Sequence, residues 1–147
     1  MSVLFNDTMT VYNYHRDPDT EKETWIRSVV KGIQWSHNKT EITTSGNVQT
    51  ESKVESITVD FQRGYGTKPY LPPTEFAKLT ADAAAEYWTL NPRSGQDVIV
   101  LGESDKEISR AYKLCDLQDD FQYAVTVTAV SDNRNRPRLK HIKVVGK

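Results

Sequence analysis

The chain has 147 residues, of which 37% are hydrophobic and 27% are charged, and its formal net charge is −1. This composition is typical of one globular domain and excludes a disordered chain, and no apolar run approaches the roughly 18 residues that a membrane helix requires. The N-terminal segment has no cationic leader followed by a long apolar run, so the sequence predicts a protein of the cytoplasm that does not enter a membrane.

The first half of the chain is dominated by strand-like segments. Residues 7–15, DTMTVYNYH, are rich in β-branched and aromatic side chains, which favour a strand. Residues 24–37 are rich in Trp, Ile and Val but contain Gly32, where a bulge would let the segment continue as two short strands. Residues 54–61, VESITVDF, alternate cleanly between apolar and polar positions and predict another strand.

Residues 38–53, NKTEITTSGNVQTESK, carry almost no apolar side chains and contain several turn formers. This composition predicts a long exposed polar loop, or alternatively a weak hairpin with its turn at Ser45-Gly46-Asn47. Loops of this length are uncommon in compact domains unless they serve a purpose.

The second half combines short helix signals with further strands. A helix is predicted after the two prolines or at Thr80, because TADAAAEYW offers a capping threonine, an early acidic residue and strong helix formers. VIVLG is typical of a buried strand, and a second helix is predicted in ESDKEISRAYKL, where Ile108, Ala111 and Tyr112 lie three to four residues apart. FQYAVTVTAVS and LKHIKVVG predict strands on either side of DNRNRPR.

These elements predict a mainly β fold for a single domain over residues 1–147. The expected architecture is a small β-barrel or β-sandwich of five to seven strands with one or two short helices.

The C-terminal segment, residues 129–147, is predicted to be a basic hairpin. Residues 131–147 contain six Lys or Arg against the single acid Asp132, which gives +5, so the other 130 residues sum to −6. Three roles are open for the hairpin: a solvated turn, a docking arm for another protein, or a contact with phosphate, since arginine suits both carboxylate and phosphate. The candidate partner-binding residues are Arg134, Arg136, Arg138 and Lys140.

Enzyme chemistry has little support in the sequence. His15, His37 and His141 are far apart and lack the spacing of metal ligands, so no metal and no cofactor is predicted. Cys115 is the only cysteine, and nothing beside it resembles a catalytic signature; it is expected to be a small buried apolar residue. The sequence therefore predicts a protein that is not an enzyme.

Four segments occur in order along the chain: NDTMTVYN, ETWIRSVVKGIQWS, EYWTLNPRSGQDVIVLGE and AVSDNRNRPRLKHIKVVGK. Together they resemble a family of small structural proteins of tailed bacteriophages and prophages that includes minor capsid and head-tail connector proteins. The resemblance implies a virion component, made in the host cytoplasm, that self-associates into a ring and contacts portal, tail or capsid proteins. Where the family would have a Gly-Asp pair, this chain has Gly95-Gln96-Asp97, and a bulge would accommodate the extra residue.

A nucleic-acid-binding β-barrel is the alternative function. It would use the same basic hairpin together with exposed members of the three tryptophans and seven tyrosines, because single-strand binders combine a basic groove with aromatic stacking platforms. Aromatic residues on strands belong more often to the core, and the overall charge is slightly acidic, so a protein-docking role is preferred for the hairpin, with incidental DNA contact left open.

Overall fold

The computed structural model describes residues 7–45, 48–60, 68–93, 96–109, 112–121, 123–132 and 141–146, with the backbone alone at 37–45, 48–54, 60, 114, 132 and 141. Six strands form within these ranges. They are β1 (Asp7–Arg16), β2 (Glu23–Ser45), β3 (Val48–Asp60), β4 (Val98–Leu101), β5 (Ala124–Asp132) and β6 (His141–Gly146). The same ranges contain three short helices, α1 (Pro73–Phe76), α2 (Ala81–Ala84) and α3 (Leu114–Asp120).

The strands close into one antiparallel barrel in the order β1-β2-β3-β6-β5-β4, with β4 pairing back onto β1. The predicted mainly β fold is confirmed, and of the two architectures the barrel is the one that forms. Closure matters physically because it pairs both sides of each wall strand and so removes the open sheet edges of a sandwich.

A bulge bends β2 at Gly32, as predicted. Asp7 pairs with Ile33 whereas Thr8 pairs with Lys31, so Gly32 is the extra residue opposite β1. Its φ of 70° lies in the left-handed region that glycine adopts without strain. The strand does not divide there, because Ile33 also pairs with Val59 of β3 and the two ladders therefore overlap.

The predicted polar loop at 38–53 belongs to two paired strands, so the hairpin alternative is the correct one. Seven residue pairs run from Lys39↔Val54 to Ser45↔Val48. We call residues 39–45 and 48–54 the arm. Gly46 and Asn47 of the predicted turn lie outside the described residues.

The barrel has a core inside its wall and a second, smaller cluster outside it. Strand positions that alternate along the wall fill the interior, as the two-residue period of a strand requires. The inner cluster comprises Met9, Val11, Val30, Ile33, Trp35, Ile57, Val59, Trp88, Leu90, Ile99, Val125, Val127, Ile142 and Val144. The outer cluster comprises Tyr12, Val98, Val100 and Leu117. Because β4 is covered on both faces, its sequence is continuously apolar, as the run VIVLG predicts.

Both positions predicted for the first helix carry one. Proline occupies the first turn of α1, and the Thr80 hydroxyl accepts a hydrogen bond from the Ala83 amide at the start of α2. No helix in the described part of the chain is long and apolar enough to cross a bilayer.

The helix predicted over 103–114 is wrong. Residues 103–109 are irregular and α3 begins only at Leu114. Side chains compete for the backbone here: the Ser104 amide donates to Thr10, the Lys106 amide donates to the Ser104 hydroxyl, and the Lys106 carbonyl accepts from Tyr12. Such bonds offer the backbone an alternative to the helical ladder.

Cys115 is exposed on α3, which contradicts the expectation of a buried residue. The helix packs Leu117 into the outer cluster, and Cys115, two positions earlier, lies roughly 200° away around the helix. The thiol therefore faces the side opposite the contact.

Candidate functional site

The cations predicted to bind a partner lie outside the described residues, so their role stays a prediction. They are Arg134, Arg136, Arg138 and Lys140. The structure does describe the strands on either side, because β5 and β6 pair antiparallel up to Asp132↔Ile142. This is the arrangement expected for the two strands of the predicted hairpin at 129–147.

The arm is the part of the described sheet that leaves the barrel wall. Pairing of β2 with β1 stops at Ile33, and pairing of β3 with β6 stops at Glu55, so the seven arm pairs join β2 and β3 to each other alone among the described strands. At roughly 3.3 Å per residue the arm is about 23 Å long. No other described strand pairs with its outer edges, and an uncovered edge can pair with another chain.

A buried polar cluster joins β1 to the segment before β4. Asp97 is fully buried; its Oδ2 accepts hydrogen bonds from Asn13 Nδ2 at 2.9 Å and from the Asn91 amide at 3.0 Å, and its Oδ1 accepts from the Tyr14 amide at 2.9 Å. Asn13 in turn donates to the Thr89 carbonyl and accepts from the Thr89 amide. This cluster fixes residues 89–91 against the end of β1.

A cavity of about 160 Å³ opens beside this cluster, between β1 and α1. Its apolar side comes from Pro73, Phe76 and Ala77, and its polar side includes the buried residue His15. The His15 ring contacts Phe76 edge-on at 5.3 Å, and Nε2 lies 2.8 Å from the Leu79 carbonyl oxygen. Because a carbonyl only accepts, Nε2 carries a proton and donates to the Leu79 oxygen.

Thr89 and Asn91 line the same cavity, and a shallower groove of about 340 Å³ continues from it. The cavity and the groove share Pro73, Ala77 and Asn91 as lining residues, and Arg93 lines the groove.

Asp17 holds the turn between β1 and β2 against α2. Its Oδ2 accepts from the Ala81 amide, and its Oδ1 accepts from the Asp19 and Thr20 amides. These backbone hydrogen bonds, the one from Ala81 foremost, hold the pKa of the Asp17 carboxyl below its usual value. No local pattern in the sequence signals this contact, because Asp17 and Ala81 are 64 residues apart.

The described residues give no support for a metal site or for aromatic rings that stack on nucleic-acid bases. No group of three or more His, Cys, Asp or Glu side chains within them could hold a metal ion. Tyr12, Trp35 and Trp88 are buried, so these three rings cannot stack on bases. Tyr14 and Trp25, which are half-buried, contact each other edge-on at 5.4 Å.

The fold and these surfaces define a small closed β-barrel protein with a two-stranded arm and a pocket beside α1. Residues 4–147 match the family of unknown function DUF6751, and the chain belongs to that family. No curated protein matches the chain, and no solved structure matches it.

Proposed function

We propose that this protein is a non-enzymatic structural component of a tailed-phage or prophage virion, acting in head-tail joining or as a minor capsid protein. The observation that carries the proposal is the arm, which extends about 23 Å from the barrel wall. A two-stranded hairpin is marginally stable by itself in water, so this geometry favours completion by another subunit along the arm's outer edges.

The charge distribution supports contacts between unlike surfaces. The last 17 residues carry +5 and the preceding 130 carry −6, so one copy can place its basic end on the acidic body of the next. Head-to-tail contacts of this kind form a ring when the rotation between neighbouring copies closes, and a ring is the assembly that we propose. The expected partners are other copies of the chain and the portal, tail or capsid proteins of the same particle.

The first test is composition of the particle. Virions from a host that carries the gene should contain this chain at a fixed copy number relative to the major capsid protein, measured by quantitative mass spectrometry. The gene should lie between portal or capsid genes and tail genes. Absence of the chain from purified particles, or a position beside DNA-processing genes, would overturn the proposal.

The second test reverses the four candidate cations at the basic end to glutamate. Virion yield and ring formation should fall, because the basic end would then repel the acidic body. A matched control reverses four exposed lysines elsewhere and changes the net charge equally. These are Lys22, Lys31, Lys78 and Lys106. Equal effects of the two variants would show that only net charge matters and would contradict a docking role for the basic C-terminal hairpin.

DNA contact by the same cations is the competing explanation, and it has a distinct signature. Binding through phosphate contacts must weaken steeply as salt rises, because counterions are released. The proposal expects assembly to depend on the cations while the purified protein shows no DNA affinity at low salt. Tight, salt-sensitive DNA binding that vanishes in the glutamate variant would favour the nucleic-acid alternative instead.

A further inference from the structure

The arm has two outer edges, and no other strand in the described part of the chain pairs with either of them. Pairing of β2 with β1 ends at Ile33, and pairing of β3 with β6 ends at Glu55. A contact with one further strand would cover one edge and leave the other. An assembly that uses both edges of every copy leaves none uncovered, which is how the barrel wall itself avoids open edges. Because the two edges belong to different strands, such a contact is head-to-tail.

The residue pairs inside the arm define the register of such a contact. β2 and β3 are antiparallel and form seven pairs, from Lys39↔Val54 to Ser45↔Val48. If the β2 edge of one copy lies beside the β3 edge of the next, the same pairs can form between the copies, and they keep opposite residues on one face of the sheet. A slip by one residue would exchange the faces, and a slip by two would shorten the ladder.

The charged residues of the arm favour pairing between unlike edges. In the register of the arm itself, Glu51 lies opposite Ile42 and Lys53 lies opposite Thr40, and no two like charges are opposite each other. Pairing the full β3 edge with the β3 edge of a second copy would instead place Glu51 opposite Glu51, because it is the midpoint of residues 48–54. Like charges directly opposite each other destabilise a sheet. The β3 edge therefore fits the β2 edge of another copy better than a second β3 edge.

We propose that the β2 edge of each arm pairs antiparallel with the β3 edge of the arm of the next copy, so that successive arms form one continuous sheet. This contact rests on the assembly proposed above, in which another subunit completes the arm, and it names that subunit as a second copy of this chain. The sheet closes when the rotation between neighbouring copies closes. Backbone hydrogen bonds provide the contact, as in other cases of strand addition, which suits an arm whose residues are mostly polar.

Mixed disulfides test this register in the purified full chain. One variant carries Thr43→Cys and a second carries Thr50→Cys, both with Cys115→Ser so that no other thiol is present. Thr43 and Thr50 are a pair of the ladder, and paired Cα atoms lie roughly 4.5–5.5 Å apart, within the reach of a disulfide. Oxidation of the mixture should link one copy of each variant in at least about 10-fold excess over either homodimer, against the roughly twofold excess that random collision gives.

Two controls separate the contact from general thiol reactivity. Each variant has one cysteine, so no disulfide can form within a chain. Gln49→Cys replaces Thr50→Cys in the first control; because residue 49 lies on the other face of the sheet, its linkage to Thr43→Cys should fall to the random level. In the second control, urea unfolding of each reduced variant should match that of the Cys115→Ser chain, because the arm lies outside the barrel wall.

The other outcomes contradict the pairing. Mixed dimers at the random level, at millimolar protein concentration, would show that the two edges do not meet. An excess of homodimers of either variant would indicate a two-fold contact instead. The virion role is tested separately: if purified particles contain the chain while mixed dimers are absent, only the pairing is refuted. Mixed dimers from a chain that is absent from particles would refute the virion role and retain the pairing.

Discussion

Replacing Asp97 with asparagine should destabilise the barrel by about 2–4 kcal/mol. The carboxylate is fully buried, and the hydrogen bonds that it accepts include two on Oδ2 from Asn13 and Asn91 and one on Oδ1 from the Tyr14 amide. Asparagine has one oxygen and one NH₂ group, so at least one of these donors must face another donor.

The size of this loss of stability is estimated for the orientation of the introduced asparagine amide that costs less free energy. With the oxygen at the Oδ2 position, the bonds from Asn13 and Asn91 remain but become neutral bonds, and the Tyr14 amide loses its acceptor. A hydrogen bond to a charged group contributes roughly 1.5–3 kcal/mol, and a buried donor without a partner costs roughly 1–3 kcal/mol. About 2–4 kcal/mol is a large share of the 5–15 kcal/mol that typically stabilises a domain.

Urea denaturation followed by tryptophan fluorescence measures the change, provided that the slope of the transition is unchanged. Asp82→Asn is the matched control, because Asp82 is exposed in α2 and makes only a helix-end contribution, worth roughly 0.3–1 kcal/mol. If Asp97→Asn lowers the free energy of unfolding by no more than the control does, the cluster around Asp97 does not stabilise the fold and the argument fails.

Three further outcomes follow from the geometry. The stability contributed by Asp17 is present at neutral pH and is lost as the pH falls below about 4 toward the lowered pKa of its carboxyl in the folded protein. Asp17→Asn should therefore make the urea unfolding midpoint less dependent on pH over that acid range. An unchanged pH dependence would contradict this. The hydrogen bond to Asp120 raises the pKa of Tyr112 to about 12; Asp120→Asn should lower it toward about 10, read from phenolate absorbance against a Tyr112→Phe reference. Gly146→Ala should destabilise the barrel by roughly 1–3 kcal/mol in thermal unfolding, because a Cβ there would lie 2.9 Å from the Thr126 carbonyl oxygen. A melting temperature equal to that of the wild type would show that β5 and β6 can move apart without cost.

Local signals in the sequence predicted the wall of the barrel well. The bulge at Gly32 and the buried strand β4 could both be predicted, because a glycine in a strand and an unbroken apolar run each have a local physical cause. The spacing of Ile108 and Tyr112 was misleading, since both pack on the outer cluster from irregular chain. Apolar spacing reports burial, and irregular chain held by side-chain hydrogen bonds can bury the same positions as a helix.

The polar cluster and the cavity could not be predicted in the same way. Asn13 and Asp97 are 84 residues apart, and only the pairing of β1 with β4 brings them together. Either residue alone is typical of a turn or a surface.

Stability and association are separable in this architecture. Trp35 in β2 and Ile57 in β3 both belong to the barrel core, and the arm continues from these two strands beyond their last pairs with β1 and β6. Closure of the wall satisfies the backbone of the barrel internally, whereas the outer edges of the arm pair with no other strand in the described part of the chain. Substitutions in the arm should therefore change association with little effect on unfolding, and substitutions around Asp97 should do the reverse.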